Sequence, residues 1–474
     1  MRANLSCFIV AVASSGLFAC GGGSGPSGSP PAAEGDDGGN VVTTPVEAGV
    51  AEAATEAAAP VDHGAPSTTY PAFTPSFPQV QNNGGLVMAK PTIVSITWDA
   101  DPSQSYFDAF ADTLGGTSYW NATTSEYGVG PVVSGTVNHV HNAGTPPTTL
   151  QDSDLQALVQ ANAGNTADGG AGWPAPTSNT IYAFFLPPGT SLNLGSMGGG
   201  GPGGGSGDAC SQGVGGYHDQ VAVGSVTTSY AVVPSCTFGG GNTAAQQTTM
   251  SMSHEIIEAS TDPQPESNNP GYIGFDNDHF GWDYFQSFQD EVGDACELYL
   301  ASFYEEVETA PAPFDYWVQR TWSNKAGPAG HDPCVPAPAQ PYFNVTPLDL
   351  QTVNVSLPAE LTGAASTTTE AALGYKVLAG QSGKFALGFY SDAATSGAWS
   401  IKASAGNPLG SEIDQYNKSA ITVSLDKTSG VNGEKAYLTV NVTTTGPTFK
   451  GELVTITSTL SGVQHYMPIW IAGQ

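Results

Sequence analysis

The chain has 474 residues with 42 Asp plus Glu against 11 Lys plus Arg, a formal net charge of −31 at pH 7, and is long enough for two or three domains once structureless segments are set aside. Between Arg2 and Arg320, Lys90 is the only Lys or Arg, and so acidic a surface repels nucleic acid and anionic lipid headgroups, which sets both aside as partners. The charge is compatible with metal ions and other cations and with neutral or basic polymers, and equally with acidity that keeps an exported protein soluble.

Residues 1–19 read as an export signal: Arg2, then an apolar run from Phe8 to Phe18 broken by Ser14, Ser15 and Gly16, too short to span a bilayer as a permanent helix. The tetrad "LFAC" resembles a bacterial lipobox, in which Cys20 would receive diacylglycerol and become the mature N-terminus. Residues 20–67, rich in Gly, Ser, Pro and Ala, cannot bury a core and read as a flexible tether. The residue after Cys20 is Gly21 rather than Asp, which by resemblance to Gram-negative sorting rules gives no signal for inner-membrane retention. The expectation is an exported chain, lipid-anchored at the cell envelope, at the outer membrane or cell surface, that meets the membrane only through its lipid.

From residue 70 to 336 the pattern is mixed. "PTIVSITWD" (91–99) and "NTIYAFFLP" (179–187) are short runs of β-branched and aromatic residues bounded by Pro and polar residues, and read as buried strands; "HDQVAVGSVTTSYAVVPSC" (218–236) reads as two more. Helices are expected at 105–115, at 153–164, with Ser153 as cap and Gln156 reaching back, and at 242–261. The glycine tract 195–208 is a loop insertion and not a phosphate-binding loop, because no Gly-Lys-Ser/Thr follows it. Cys7 leaves with the signal and Cys20 is lipidated, so Cys210, Cys236, Cys296 and Cys334 remain. An even remainder in an exported chain suggests two disulfides. Of the three connectivities, the pairing of sequence neighbours, Cys210–Cys236 and Cys296–Cys334, is the expectation.

From residue 341 to 474 the sequence carries alternating runs such as "QTVNVSL", "GKFALGFYS", "KAYLTVNVT" and "GELVTITSTL". About seven short strands at close spacing argue for an immunoglobulin-like β-sandwich. This part holds seven of the nine lysines and none of the cysteines, and nothing in it reads as catalytic. The fold class expected is therefore α+β: a mixed α/β, metallopeptidase-like domain followed by an all-β sandwich.

The chemistry concentrates in "SHEIIEASTDP" (253–263). At i and i+4, His254 and Glu258 share one face of a helix, close enough to hold one ion, while Glu255 is turned to another side. Carboxylate oxygen binds zinc about as closely as imidazole nitrogen, so Glu in place of a second His is permitted. Met250, Met252, Ile256 and Ile257 imply a buried helix, where an unpaired acidic cluster would be costly. The same residues also permit a buried histidine bonded to a carboxylate with no ion. Downstream, "DEVGDACEL" sets Glu291 and Asp294 about one helical turn apart as candidate ligands, with Asp294 either ligand or support. Upstream, His218 in "GGYHDQ" can complete the sphere. His279 is a further candidate, and Asp276, Asp278 and Asp283 around it permit a calcium loop. His139 and His141, on one face of a possible strand, read as structural or solvent-facing.

The blocks "CSQGVGGYH", "YAVVPSC", "SHEIIEASTDP", "EVGDAC" and "VQRTWSN", with the strand "PTIVSITWD", resemble bacterial relatives of the plant Exordium, or phosphate-induced, proteins over roughly residues 85 to 335. The glycine insertion, the long "YFQSFQ" and the appended β-region depart from that pattern. The resemblance implies a cell-surface or wall-associated protein with a metalloprotease-like helix. The expected function is a zinc peptidase-like surface lipoprotein acting on an extracellular peptide or a cell-surface polymer, with His254, Glu258 and an acidic third ligand on zinc and Glu255 taking a proton from water. The rival is a non-catalytic surface or matrix protein with a structural metal site.

Overall fold

In Thr92–Trp98 and Thr180–Phe185 nearly every residue is buried, as expected of strands covered on both faces. They form the middle of a six-stranded sheet in the order Cys7–Ile9, Val214–Val223, Val226–Val233, Thr180–Phe185, Thr92–Trp98, His139–Asn142. The three neighbour pairs among the last four strands are parallel, whereas Val214–Val223 and Val226–Val233 form an antiparallel hairpin. The computed structural model describes residues 7–9, 61–165, 172–194, 207–239, 241–286, 288, 291–357, 368–409, 420–443 and 451–473. Cys20, the tether as far as residue 60 and most of the glycine tract lie outside the described residues. Cys7–Ile9, inside the segment read as an export signal, pairs antiparallel with Val214–Val223, Phe8 standing opposite Gly216; a chain cleaved before Cys20 would lack this edge strand.

Helices cover both faces of the sheet. Helix α1 (Gln104–Leu114) buries Phe107, Phe110, Ala111 and Leu114 in the same cluster as Ile93, Ile181 and Phe185; the short α2 (Ser118–Thr124), capped by Thr117, adds Tyr119 and Trp120. Helix α3 (Asp152–Asn162) packs Leu155 and Val159 with Val94, Ile96, Tyr182 and Phe184 on the opposite face. It begins earlier than expected, with Gln151 as N-cap and Asp154 completing the capping box, because Thr149–Gln151 pairs as a strand with Ser191–Asn193 and the helix starts where that pairing stops. Gln156 instead bonds Asp152 and the Tyr230 hydroxyl.

Helix α4 (Ala244–Thr261) is capped by Thr243 with Gln246 returning the bond, and is buried from Gln247 to Thr261 on every side. A helix buried all round normally needs an apolar surface. Here several hydroxyls are satisfied within the helix: Ser253 donates to the Met250 carbonyl (2.7 Å), Ser260 to Ile256 (2.6 Å) and Thr261 to Ile257 (3.1 Å). Two short helices follow, α5 (Phe280–Phe285) and α6 (Asp294–Glu297), and the antiparallel pair Phe303–Glu308 and Phe314–Gln319. Disulfides join Cys210 to Cys236 and Cys296 to Cys334, the pairing of sequence neighbours.

The C-terminal part forms two sheets. One runs Phe343–Pro347, Ser382–Ser391, Lys435–Val442, Ile421–Leu425; the other Gln351–Leu357, Thr368–Lys376, Val463–Ala472, Gly451–Leu460, Trp399–Ala405, Ser429–Gly430. Leu387, Phe389, Leu438 and Val440 from the first meet Val454, Ile456, Ile469 and Ile471 from the second in one buried cluster, which continues into Ile256, Trp282 and Trp322 of the preceding part. The Trp470 ring stands edge-on to Phe280 with centroids 4.7 Å apart. Residues 63–474 therefore belong to one unit. At the end of the segment read as a tether, the carbonyl of His63 accepts from the Lys435 amide (2.7 Å) and the Ser67 amide donates to the Asn432 carbonyl (2.7 Å). Composition alone does not register that this Gly/Pro-rich segment is docked. The whole is α+β, with strand predominating.

Candidate metal centre

Helix α4 carries His254, Glu255 and Glu258 into the interior, and each is 0% exposed. The i,i+4 spacing sets His254 Nε2 2.9 Å from Glu258 Oε2. The other Glu258 oxygen, Oε1, accepts from the backbone amides of Gly293 (2.9 Å) and Asp294 (3.1 Å), so only Oε2 is directed at the histidine. The segment 291–297 thus reaches α4 through its backbone before its side chains act. Gly293 makes this approach possible: a Cβ there would lie 2.5 Å from His254 Nδ1 and 2.8 Å from Glu258 Oε1.

The orientation of His254 is set from a strand end. Gln319 Nε2 donates to the Gly293 carbonyl (2.8 Å), which leaves Gln319 Oε1 to accept from His254 Nδ1 (3.1 Å). A neutral His254 therefore turns its bare Nε2 toward Glu258 Oε2 and toward Asp294 Oδ1, 3.6 Å away. A carboxamide on one nitrogen and a ligand position on the other is the arrangement that orients metal-binding histidines.

His218 arrives from the strand Val214–Val223, 1% exposed. Its Nε2 donates to the Asp262 carbonyl (3.2 Å) and lies 3.7 Å from Glu291 Oε2, while Nδ1 stands 3.6 Å from Glu255 Oε2 and 3.7 Å from Glu258 Oε2. Period-2 alternation along the strand sends Gly216 to the same face as His218, and a Cβ on Gly216 would meet Glu255 Oε1 at 2.8 Å.

The electrostatics follow from burial. Neither oxygen of Glu255 nor of Glu291 accepts a hydrogen bond among the described residues, and no Lys or Arg there pairs with Glu255, Glu258 or Glu291. Burial raises the Glu255 carboxyl despite His218 and His254. Glu291 is held well above its ordinary range, first by burial and then by the charges of Glu258, Asp262 and Asp294. Glu258 is lowered against the effect of burial, because His254 and His218 outweigh it. Burial alone would lower both histidines, but the facing carboxylates raise His218 to about 9 and His254 to about 10. Protons on these groups or a bound divalent cation would each offset the buried negative charge, and buried carboxylates left unpaired are costly.

Two sets of ligand atoms, each mutually within 4.8 Å, result: His218, Glu258, Glu291 and His254, Glu258, Asp294. These buried His/Glu/Asp groups could hold a metal ion. All five ligands considered from the sequence come together, but Glu291 does so from an extended segment bridged to Ile273 rather than from a helix, and only Asp294 lies in α6. His279 does not join them. Its Nδ1 bonds Asp276 Oδ1 (2.6 Å), its Nε2 faces Ser76 Oγ (2.9 Å), and Asp276 Oδ2 accepts from the Gln79 amide (2.8 Å). Both Asp276 oxygens are hydrogen-bonded, and the 276–283 run gathers no group of three His, Cys, Asp or Glu side chains among the described residues.

His139 and His141 are neither isolated nor purely solvent-facing. Asp108 Oδ2 lies 2.7 Å from His141 Nε2, Asp112 Oδ1 lies 3.0 Å from His139 Nε2, and Ser95 Oγ donates to Asp108 Oδ1 (2.6 Å). The sequence reading passed over Gln319, Gly293, Asp262 and Asp108. The glycine inside "EVGD" was the one local signal, since an acidic turn that needs glycine implies a close neighbour. No protein-family model matches the chain, and no curated protein matches it at a significant level.

Proposed function

We propose that this chain is an exported surface lipoprotein of Exordium-like type, built around a buried divalent-metal centre that serves amide hydrolysis of an extracellular peptide or peptide-containing polymer. The observation that carries the reading is the convergence of His254, Glu258, Asp294, His218 and Glu291, from a helix, a strand and a turn, on ligand sets 4.8 Å or less across. Zinc bound there would supply a Lewis acid that acidifies water. Glu255 is the proton acceptor: it adjoins the ligands on α4 without belonging to either set, within reach of a water held beside them. His254 and Glu258 orient the site, with Gln319 and the amides of Gly293 and Asp294 behind them. The two C-terminal sheets support reading that part as an immunoglobulin-like spacer or adhesion region.

One observation favours a second reading. Every ligand is 0 or 1% exposed, and structural metal sites are closed whereas catalytic ones keep an open position. The test is Glu255→Gln with wild type as reference, assayed for metal content, folding and cleavage of a peptide library. Metal-dependent cleavage by wild type, lost in a variant that keeps its metal, supports the hydrolase. Full metal occupancy with no cleavage by wild type leaves the structural centre.

A further inference from the structure

We infer that the centre is built for two divalent ions that share Glu258, a reading that rests on the proposed metal centre and goes beyond it in stoichiometry. The two ligand sets have Glu258 in common and are otherwise separate: His218 with Glu291 on one side, His254 with Asp294 on the other, and no single group containing both histidines forms within 4.8 Å among the described residues. Glu258 Oε2 stands between the imidazoles, 2.9 Å from His254 Nε2 and 3.7 Å from His218 Nδ1. With Oε1 committed to two backbone amides, the carboxylate is held so that the single oxygen Oε2 faces both sides.

Charge points the same way. Glu255, Glu258, Asp262, Glu291 and Asp294 are five carboxylates, each no more than 1% exposed, and metal-bound histidines are neutral. One divalent cation leaves three negative charges buried; two cations leave one. The carboxylate that one ion would strand is identifiable. Glu291 is 0% exposed with both oxygens lacking a hydrogen-bond partner, and it belongs to the His218 side, whereas the shortest histidine–carboxylate contact, His254 with Glu258, is on the other side. An ion placed there alone would leave Glu291 uncompensated.

The experiment measures metal per chain by elemental analysis of the purified protein, as isolated and after saturation with Zn²⁺ or Co²⁺ and removal of excess ion. Two ions per chain are expected, falling to one in Glu291→Gln and in Asp294→Asn and to none in Glu258→Gln. Mn²⁺ loaded to saturation should give the exchange-coupled electron paramagnetic resonance signal of ions sharing a carboxylate, a readout that needs no variant to fold. One ion per chain at saturation, with the uncoupled Mn²⁺ spectrum, overturns the two-ion inference and leaves the single-metal reading standing. No ion under any loading overturns both. Two uncoupled ions, unaffected by Glu258→Gln, overturn the sharing of Glu258.

Discussion

Gly293 lies so close to His254 that the smallest side chain on it would come within 2.5 Å of the imidazole Nδ1. The backbone amide of the same residue holds Glu258, so the glycine is a steric requirement of the helix–turn contact and not a matter of backbone freedom. Gly293→Ala is expected to push His254 or the turn aside and to destabilise the fold by roughly 1 to 3 kcal/mol, the usual range for overpacking a filled interior. Thermal denaturation alongside metal analysis checks this; a variant as stable as wild type with full metal content would show that the contact is loose.

Gln319 acts on the centre through His254. Gln319→Leu removes the acceptor of the Nδ1 proton and the donor to the Gly293 carbonyl. A loss of 10- to 100-fold in metal affinity is expected, as for other groups that orient a ligand. Competition with a chromophoric chelator measures it. Gln319→Glu keeps an acceptor for His254 and should bind metal more tightly than the leucine variant, an order that a purely structural role for Gln319 would not produce.

The bond Cys296–Cys334 closes a separation of 38 residues and is anchored two positions after Asp294. Chain-entropy arguments put such a cross-link at about 2 to 4 kcal/mol. Replacing both cysteines by alanine should lower the melting temperature and weaken metal binding together, since α6 is tied to the strand pair Thr321–Trp322 and Cys334–Val335. If melting falls while metal affinity is unchanged, the disulfide supports the fold and not the centre.

His465 provides the pH dependence. It is 7% exposed, packed against the rings of Tyr342 and Phe343, and burial depresses it from 6.5 to about 3. The unfolded chain takes up this proton first as pH falls, so the stability associated with the neutral ring is complete above about 6.5 and is lost progressively toward about 3. The full effect is on the order of a few kcal/mol. Denaturant midpoints for wild type and His465→Phe, compared at pH 7 and pH 4.5, should converge or cross, with wild type losing more. Parallel loss in both proteins would assign acid sensitivity to other groups.

The proposed anchor has a separate test in Cys20→Ala, which should move the chain from the detergent-extracted membrane fraction to the soluble one. Equal partitioning of the two forms would remove the lipoprotein reading without touching the metal centre.

Local pattern was enough for much of this molecule. The β-branched runs at 91–99 and 179–187 became the central strands, the helix expected over 242–261 formed as Ala244–Thr261, and His254 and Glu258 met because four residues make one helical turn. Each depends on contacts a few residues apart, and such contacts are written in spacing. The cysteines paired as sequence neighbours for a related reason, that short loops close most readily. What spacing cannot express is which distant backbone arrives. The amides of Gly293 and Asp294 on Glu258, the carboxamide of Gln319 on His254, the carbonyl of Asp262 on His218 and the grouping of Asp108 with His139 and His141 all join residues tens of positions apart. So does the shared core that ties Phe280 to Trp470. Those contacts exist only once the sheet has closed and α4 has been buried, when desolvation makes every unpaired carboxylate costly and sets which histidine faces which oxygen.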